Sequence, residues 1–351
     1  MKSLNAKTIL ALAALAALTA CGGGSGGSSP AGNPVTPSTP VDPVTPVADK
    51  SSIVTSVPAA TYAAGSEELA AFKLLNAERQ HCGFGLLKQN AKLDTTAKNH
   101  ADWVLINNNL GHGETPGTKG FTGISGYERA MNAGYGNGSF YPSAVADTTR
   151  QLKKGAAETE VRVIYGAPFH EIAAVRGYRD VGVSVRDVID VGLPVTGGGK
   201  SVLNIDFAYT TADGEQKTKT HTVRTYPCDG TTGVNRLLDG ESPSPMPDRN
   251  LAANPTGTTV IVVGDSGTEL VIDTAKMVNA ATGAEIKIAK KATAKTETAI
   301  PVPGLLLMLN EGYILPDTAL EKMTKYAVTI TGTNNSAPFT KTFTFTTGNQ
   351  P

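Results

Sequence analysis

Excess charge, cysteine and tryptophan are all scarce in this chain. Its 31 basic residues are balanced by 31 acidic ones, so the net charge is zero. That balance argues against a nucleic-acid partner, whose phosphates demand a basic surface. Charged residues make up only 18% of the chain, against ~25% in ordinary soluble domains. The low value suits an exported, Thr/Gly/Asn-rich protein. The three cysteines include no Cys-x-x-Cys spacing, which removes a dithiol redox centre and a zinc knuckle. Hydrophobic residues still reach 40%, enough to bury cores, and 351 residues suit two domains at roughly 100–200 each.

The first twenty-one residues read as an address. Lys2 and Lys7 precede an apolar run, Ile9 to Leu18, that is too short to cross a ~30 Å hydrocarbon core. Leu18-Thr19-Ala20-Cys21 resembles the bacterial lipobox. That implies cleavage after residue 20, lipidation of Cys21 and a membrane anchor; an ordinary secretory signal is the alternative. With Gly22 rather than Asp next, the resemblance implies the outer membrane in a Gram-negative cell envelope. Residues 21–58 form a Gly/Ser-rich and then Pro-rich tether that buries nothing. If Cys21 carries lipid, Cys82 and Cys228 remain, and an oxidising compartment favours a disulfide between them over two free thiols.

Beyond the tether the pattern is helical, then stranded. Ser66 followed by Glu67 and Glu68 is a helix start, with Leu69, Phe72, Leu75 and Arg79 at helical spacing. Further helices are expected from near Asp94, over Tyr127–Ala133 and over about 155–165. Asp180 to Val191 alternates as a strand, and Val202–Thr210 with Thr218–Tyr226 flank Asp213-Gly214 as an expected hairpin. Helices first and antiparallel strands after read as α+β. The stretch 231–250, with Ser242-Pro243-Ser244-Pro245, is an expected linker. Residues 251–351 then read as an all-β sandwich, with Tyr326, Val328 and Ile330 alternating before Phe339, Phe343 and Phe345.

Five motifs in order carry a family resemblance. They are Leu75-Asn76-x-x-Arg79, Leu110-Gly111-His112, Tyr127-Glu128-Arg129 before Ala133-Gly134-Tyr135, Pro168-Phe169-His170 and Gly182-Val183-Ser184-Val185. Residues 59–230 thereby resemble the CAP superfamily (the SCP-like domain of cysteine-rich secretory, antigen 5 and pathogenesis-related proteins). The resemblance implies an α-β-α sandwich with a groove lined by two His and two acids. His112, His170 and Glu128 match three of those positions. The fourth falls on Asp147 or, in the other register, on Ala144. The ending, Tyr326 to Ile330 and Phe343 to Gly348, resembles bacterial Ig-like domains.

Imidazoles and carboxylates are ligands for a divalent ion such as Zn²⁺, and the same set can do acid/base work near neutrality. His112 and His170 are therefore candidate ligands for a weakly bound metal. No nucleophile accompanies them in a recognisable order, and His100 reads as packed and hydrogen-bonded. Gly197-Gly198-Gly199-Lys200-Ser201 imitates a phosphate loop but has Pro194 where the motif needs Gly. Gly264-Asp265-Ser266-Gly267 imitates a protease nucleophile motif but lies between apolar strands, as an expected hairpin turn. The resulting expectation is an exported, lipid-anchored binding module for a lipid-like ligand or an extracellular protein, rather than an enzyme. A metal-assisted hydrolase and a structural envelope adhesin are the alternatives.

Overall fold

The computed structural model describes residues 52–136, 138–148, 156–195, 200–298 and 307–349; for 138–148 and residue 156 only the backbone is described. Cys21, most of the tether and Gly197–Gly199 lie outside them. The fold is α+β. Residues Ala48–Pro351 form one compact unit. No helix among the described residues is long and apolar enough to cross a membrane.

The elements run α1 (Glu67–His81), β1 (Lys88–Gln89), α2 (Ala91–Asn107), α3 (Gly126–Asn132), β2 (Gly138–Thr148), α4 (Ala156–Ile164), α5 (Pro168–Val175), β3 (Asp180–Asp187) and β4 (Ser201–Thr210). Strands β5 (Arg224–Tyr226), β6 (Thr231–Val234), β7 (Leu237–Leu238), β8 (Thr256–Gly257) and β9 (Val260–Val263) follow. The last are β10 (Leu270–Asn279), β11 (Glu285–Ile286), β12 (Ile288–Thr293), β13 (Glu311–Pro316), β14 (Lys325–Asn334) and β15 (Ala337–Thr347).

Helix α1 starts where its caps say it should. Ser66 Oγ accepts from Leu69 N–H, and Glu67 and Glu68 occupy the first turn, where the helix dipole favours negative charge. Asn76 and Arg79 on its inner side are structural. Asn76 exchanges two hydrogen bonds with the Leu87 backbone. The fully buried Arg79 donates to the carbonyls of Phe84, Gly85, Ala174 and Arg176. Burial lowers its pKa to about 10, so it stays charged. Helix α2 begins at Ala91, capped by Asn90, rather than at Asp94. Asp94 instead accepts from the Tyr62 hydroxyl and Val183 N–H, tying α2 to the sheet.

The first sheet has the order β1-β3-β4-β2. Odd positions Val181, Val183, Leu203, Ile205 and Phe207 pack with α1, α4 and α5. On the other face Val202 packs with Ala101, Trp103 and Val104 of α2, and Ala208 with Leu93 and Ala130. Period-two alternation thus covers both faces with helices.

Two more sheets, β11-β10-β14-β15-β6 and β12-β13-β9-β5, pack face to face. The second is covered on both sides. Val260, Val262 and Ile314 face the other sheet, while Ile261, Val263, Tyr313 and Leu315 join the core that holds α1 and α5. The Pro/Ser stretch around Ser242–Pro247 therefore connects elements that share a core. The β14–β15 hairpin turns through Asn335 and Ser336, both left-handed (φ 51° and 63°), as the strand twist demands of a two-residue turn.

Two expected hairpins do not form. Strand β5 pairs with β9 and not with β4, because both edges of β4 are taken by β3 and β2. Likewise β9 lies between β13 and β5, so Gly264–Gly267 carries the chain from one sheet to the other. Cys82, the C-cap of α1, is bridged to Cys228 just beyond β5 across a separation of 146 residues.

Candidate functional site

His112 lies on a loop that a buried network holds in place. Asn108 closes α2 in the left-handed region (φ 48°) and the chain turns back through Gly111. His100, fully buried on α2, sets Nδ1 3.0 Å from Glu114 Oε1 and Nε2 2.8 Å from Gly111 O. Glu114 also accepts from Thr122 N–H at 2.6 Å. Arg129 of α3 donates to the His112 carbonyl at 3.0 Å. Burial opposes charge on Glu114, yet hydrogen bonds from His100 and Thr122 and the Arg129 charge outweigh it. They hold its carboxyl below the usual range.

His170 sits in the first turn of α5. That helix has Ala167 at its N-cap, which cannot accept from the free N–H groups of the first turn. Glu241 fills the role from 71 residues away. Its Oε1 accepts from Phe169 N–H (2.9 Å) and His170 N–H (3.1 Å), and lies 2.8 Å from His170 Nδ1. An imidazole whose Nδ1–H is held by a carboxylate presents Nε2 with a lone pair. Burial nevertheless raises the Glu241 pKa, with the His170 and backbone contacts pulling against it.

The two rings meet. The His112 and His170 centroids are 5.8 Å apart, with planes inclined by 38°. Desolvation, then the charges of His170, His100 and Arg129, lower the His112 pKa to about 4. The ring keeps solvent contact, and its neighbours His170, His100 and Arg129 all act on it in the same direction as desolvation. His112 is thus a neutral acceptor or ligand at neutral pH. Leu110, Ile124 and Tyr127, along the same 108–127 stretch, keep their apolar surfaces exposed.

Glu128 is not brought to this pair as a metal ligand. Its Oε2 accepts from Ile124 N–H (2.8 Å) while Ser125 Oγ accepts from Glu128 N–H (3.2 Å), so the Ser-x-x-Glu spacing caps α3. Asp147 and Ala144 lie on β2, opposite Val202 and Ile205 of β4, and their side chains lie outside the described residues. Among the described residues no group of three His, Cys, Asp or Glu could hold a metal. Among the described residues the pair supplies two of the three or four ligands that a Zn²⁺ site takes.

Sequence reasoning missed Glu241 and Glu171. The first stood in a Pro/Ser-rich stretch with nothing local to link it to His170. The second follows His170 directly and points inward: it is fully buried, and a backbone hydrogen bond from Ile261 only partly offsets its desolvation. Burial, then the Glu241 charge, push its pKa well above the carboxylate range. Compared with known proteins, the chain matches no family model and no curated protein.

Proposed function

We propose that this is an exported, lipid-anchored CAP-type domain with an Ig-like sandwich. In this reading it serves as a binding module for a lipid-like or extracellular ligand in the cell envelope. The juxtaposition of His112 and His170 carries the reading: a pair of imidazoles with exposed apolar side chains close by offers polar contacts to one end of an amphiphile and apolar contacts to the rest. The five resembling motifs also fall in order on α1, the loop after α2, α3, α5 and β3, which supports the CAP assignment. Titration of the full-length protein with a fluorescent fatty acid and a fluorescent sterol is expected to show saturable binding. His112→Ala with His170→Ala should weaken it about tenfold without lowering Tm. Absence of saturation, or identical affinity in the double variant, overturns the reading.

One observation favours a second reading, hydrolysis. The His170–Glu241 pair is the arrangement that orients a general base, since the carboxylate fixes the tautomer and stabilises the proton gained. This reading calls for ester or amide turnover that falls at least a hundredfold in His170→Ala. The Zn²⁺ content of the purified protein separates its metal-assisted form, which needs a stoichiometric ion. The two-imidazole set leads us to expect no binding tighter than micromolar.

A further inference from the structure

The two ends of α5 face different places. His170 lies at its start; at its end, Val175 and the C-cap Arg176 line a cavity of about 210 Å³. The cavity is built by both halves of the molecule. The first half supplies the turn from Arg176 to Tyr178 and the 215–220 loop; the second supplies Asp265 and Ser266 after β9 and Asn310 and Glu311 at the start of β13. Its volume falls below the ~300–1,000 Å³ of sites for drug-sized ligands, so an occupant must be small.

The walls are set before any ligand arrives. Arg176 Nε and Nη2 each donate to the Glu311 carboxylate at 2.7 Å, a buried two-point bridge across the seam. Gln216 donates to the carbonyls of Leu86 and Tyr178 and accepts from Val54 N–H. Lys217 pairs with Glu215 at 3.2 Å.

Two opposite charges on the lining are incompletely used. Arg224 stacks over Phe84, 4.7 Å from the ring centroid, and donates to the Gly83 carbonyl. Its Nε has no hydrogen-bond partner among the described residues. Asp265 accepts from His221 N–H through Oδ2, but its buried Oδ1 has no partner among the described residues. Burial lowers the Arg224 pKa to about 10, against the pull of Asp265 and Glu215, so the guanidinium remains charged at neutral pH. Leaving both charges short of partners is costly.

We propose that this seam cavity binds a small zwitterion, the size of an amino acid or dipeptide, with its carboxylate at Arg224 and its ammonium at Asp265. The lining explains why both charges are needed. Its cations Arg176, Lys217 and Arg224 equal in number its anions Glu215, Asp265 and Glu311. A lone anion would meet the underused charge of Asp265, and a lone cation would meet that of Arg224. A molecule carrying both signs answers both walls.

The test is calorimetric titration of the full-length protein with glycine, alanine and alanyl-alanine. Acetate and methylammonium serve as the separate halves. At least one zwitterion should bind ten times or more tighter than either half. Asp265→Asn keeps an oxygen for the His221 N–H and should weaken the zwitterion about tenfold while strengthening acetate, whose repulsion by Asp265 it removes. Ser266→Phe, on the exposed turn, fills the cavity from outside the core and should abolish binding at unchanged Tm. His112→Ala with His170→Ala should leave zwitterion binding intact, which separates this site from the imidazole pair. The proposal is overturned if no zwitterion gives saturable heat, if acetate binds as tightly as the zwitterions, or if binding survives Ser266→Phe.

Discussion

Glu171 stands one residue from the histidine that meets His112, yet it is buried in the core. Its folded pKa lies above its unfolded value, so its neutral form is the one the fold accepts. The sign follows from linkage: stability tied to this group is complete below the unfolded pKa, near 4.5, and is lost as pH rises through the folded pKa. Glu171→Gln removes the charge and keeps the shape. We expect the variant to gain about 1 kcal/mol or more at pH 8, since each tenfold change in proton affinity between the folded and unfolded chain is worth ~1.4 kcal/mol, and nothing near pH 4. Thermal melts across that range check it; an equal effect at both ends would rule out burial of the charge as the cause. His112 runs opposite, since its pKa is lowered: its contribution is present above about 6.5 and lost as pH falls toward about 4. Its solvent contact makes that contribution the smaller of the two. Glu241 acts differently again, as the cap that α5 cannot supply from its own Ala167. Glu241→Ala should cost about 1–2 kcal/mol as a lost cap and free the His170 ring. The Hε1 and Hδ2 resonances of His170 should then shift by NMR, whereas a purely structural cap would move Tm alone.

Among the elements, α2 and β3 show how one residue sets a packing distance. A Cβ on Gly182 would lie 2.1 Å from the Leu93 carbonyl carbon and 2.3 Å from Asp94 N. Neither atom can move without displacing α2, so Gly182→Ala should destabilise by about 3 kcal/mol, above most overpacking changes. Urea denaturation measures it, and a loss below ~1 kcal/mol would mean the helix shifts freely. The same elements show what a sequence makes legible. Helix starts were readable from local chemistry, because caps act within four residues: Ser66 with Glu67 and Glu68 marked α1. Alternation marked β14, whose even positions Tyr326, Val328 and Ile330 are buried. The meeting of His112 and His170 was legible only through motif order. Strand partners were not readable for β5 and β9, since pairing depends on which edges remain free after other strands have docked. Glu241 was hidden for a related reason: a cap supplied from 71 residues away leaves no local pattern.

At the scale of the molecule, the chain on either side of Ser242–Pro247 is interleaved. Strand β5 precedes that stretch yet pairs with β9 after it, and β6 precedes it yet pairs in parallel with β15 near the end. Ile261, Val263, Tyr313 and Leu315 share one apolar cluster with Phe72, Leu75, Ile172 and Tyr165. The Cys82–Cys228 bridge fastens α1 to the chain just where it passes from one sheet to the other. Separating the two pieces after a cut in the Pro/Ser stretch would therefore strip β5 and β6 from the later strands and expose the inner face of the β12-β13-β9-β5 sheet. Both pieces would lose apolar burial worth ~25 cal/mol per Å², so they should remain associated. We expect protein nicked there by limited proteolysis to elute as one species in size-exclusion chromatography. It should also unfold in a single urea transition. Reduction of the bridge should lower stability by up to about 5 kcal/mol, the chain-entropy value for so long a loop, without splitting that transition. The shared cluster, not the disulfide, makes the halves cooperative. Two transitions in the reduced protein, or two fragments eluting apart after nicking, would show that the core does not act as one.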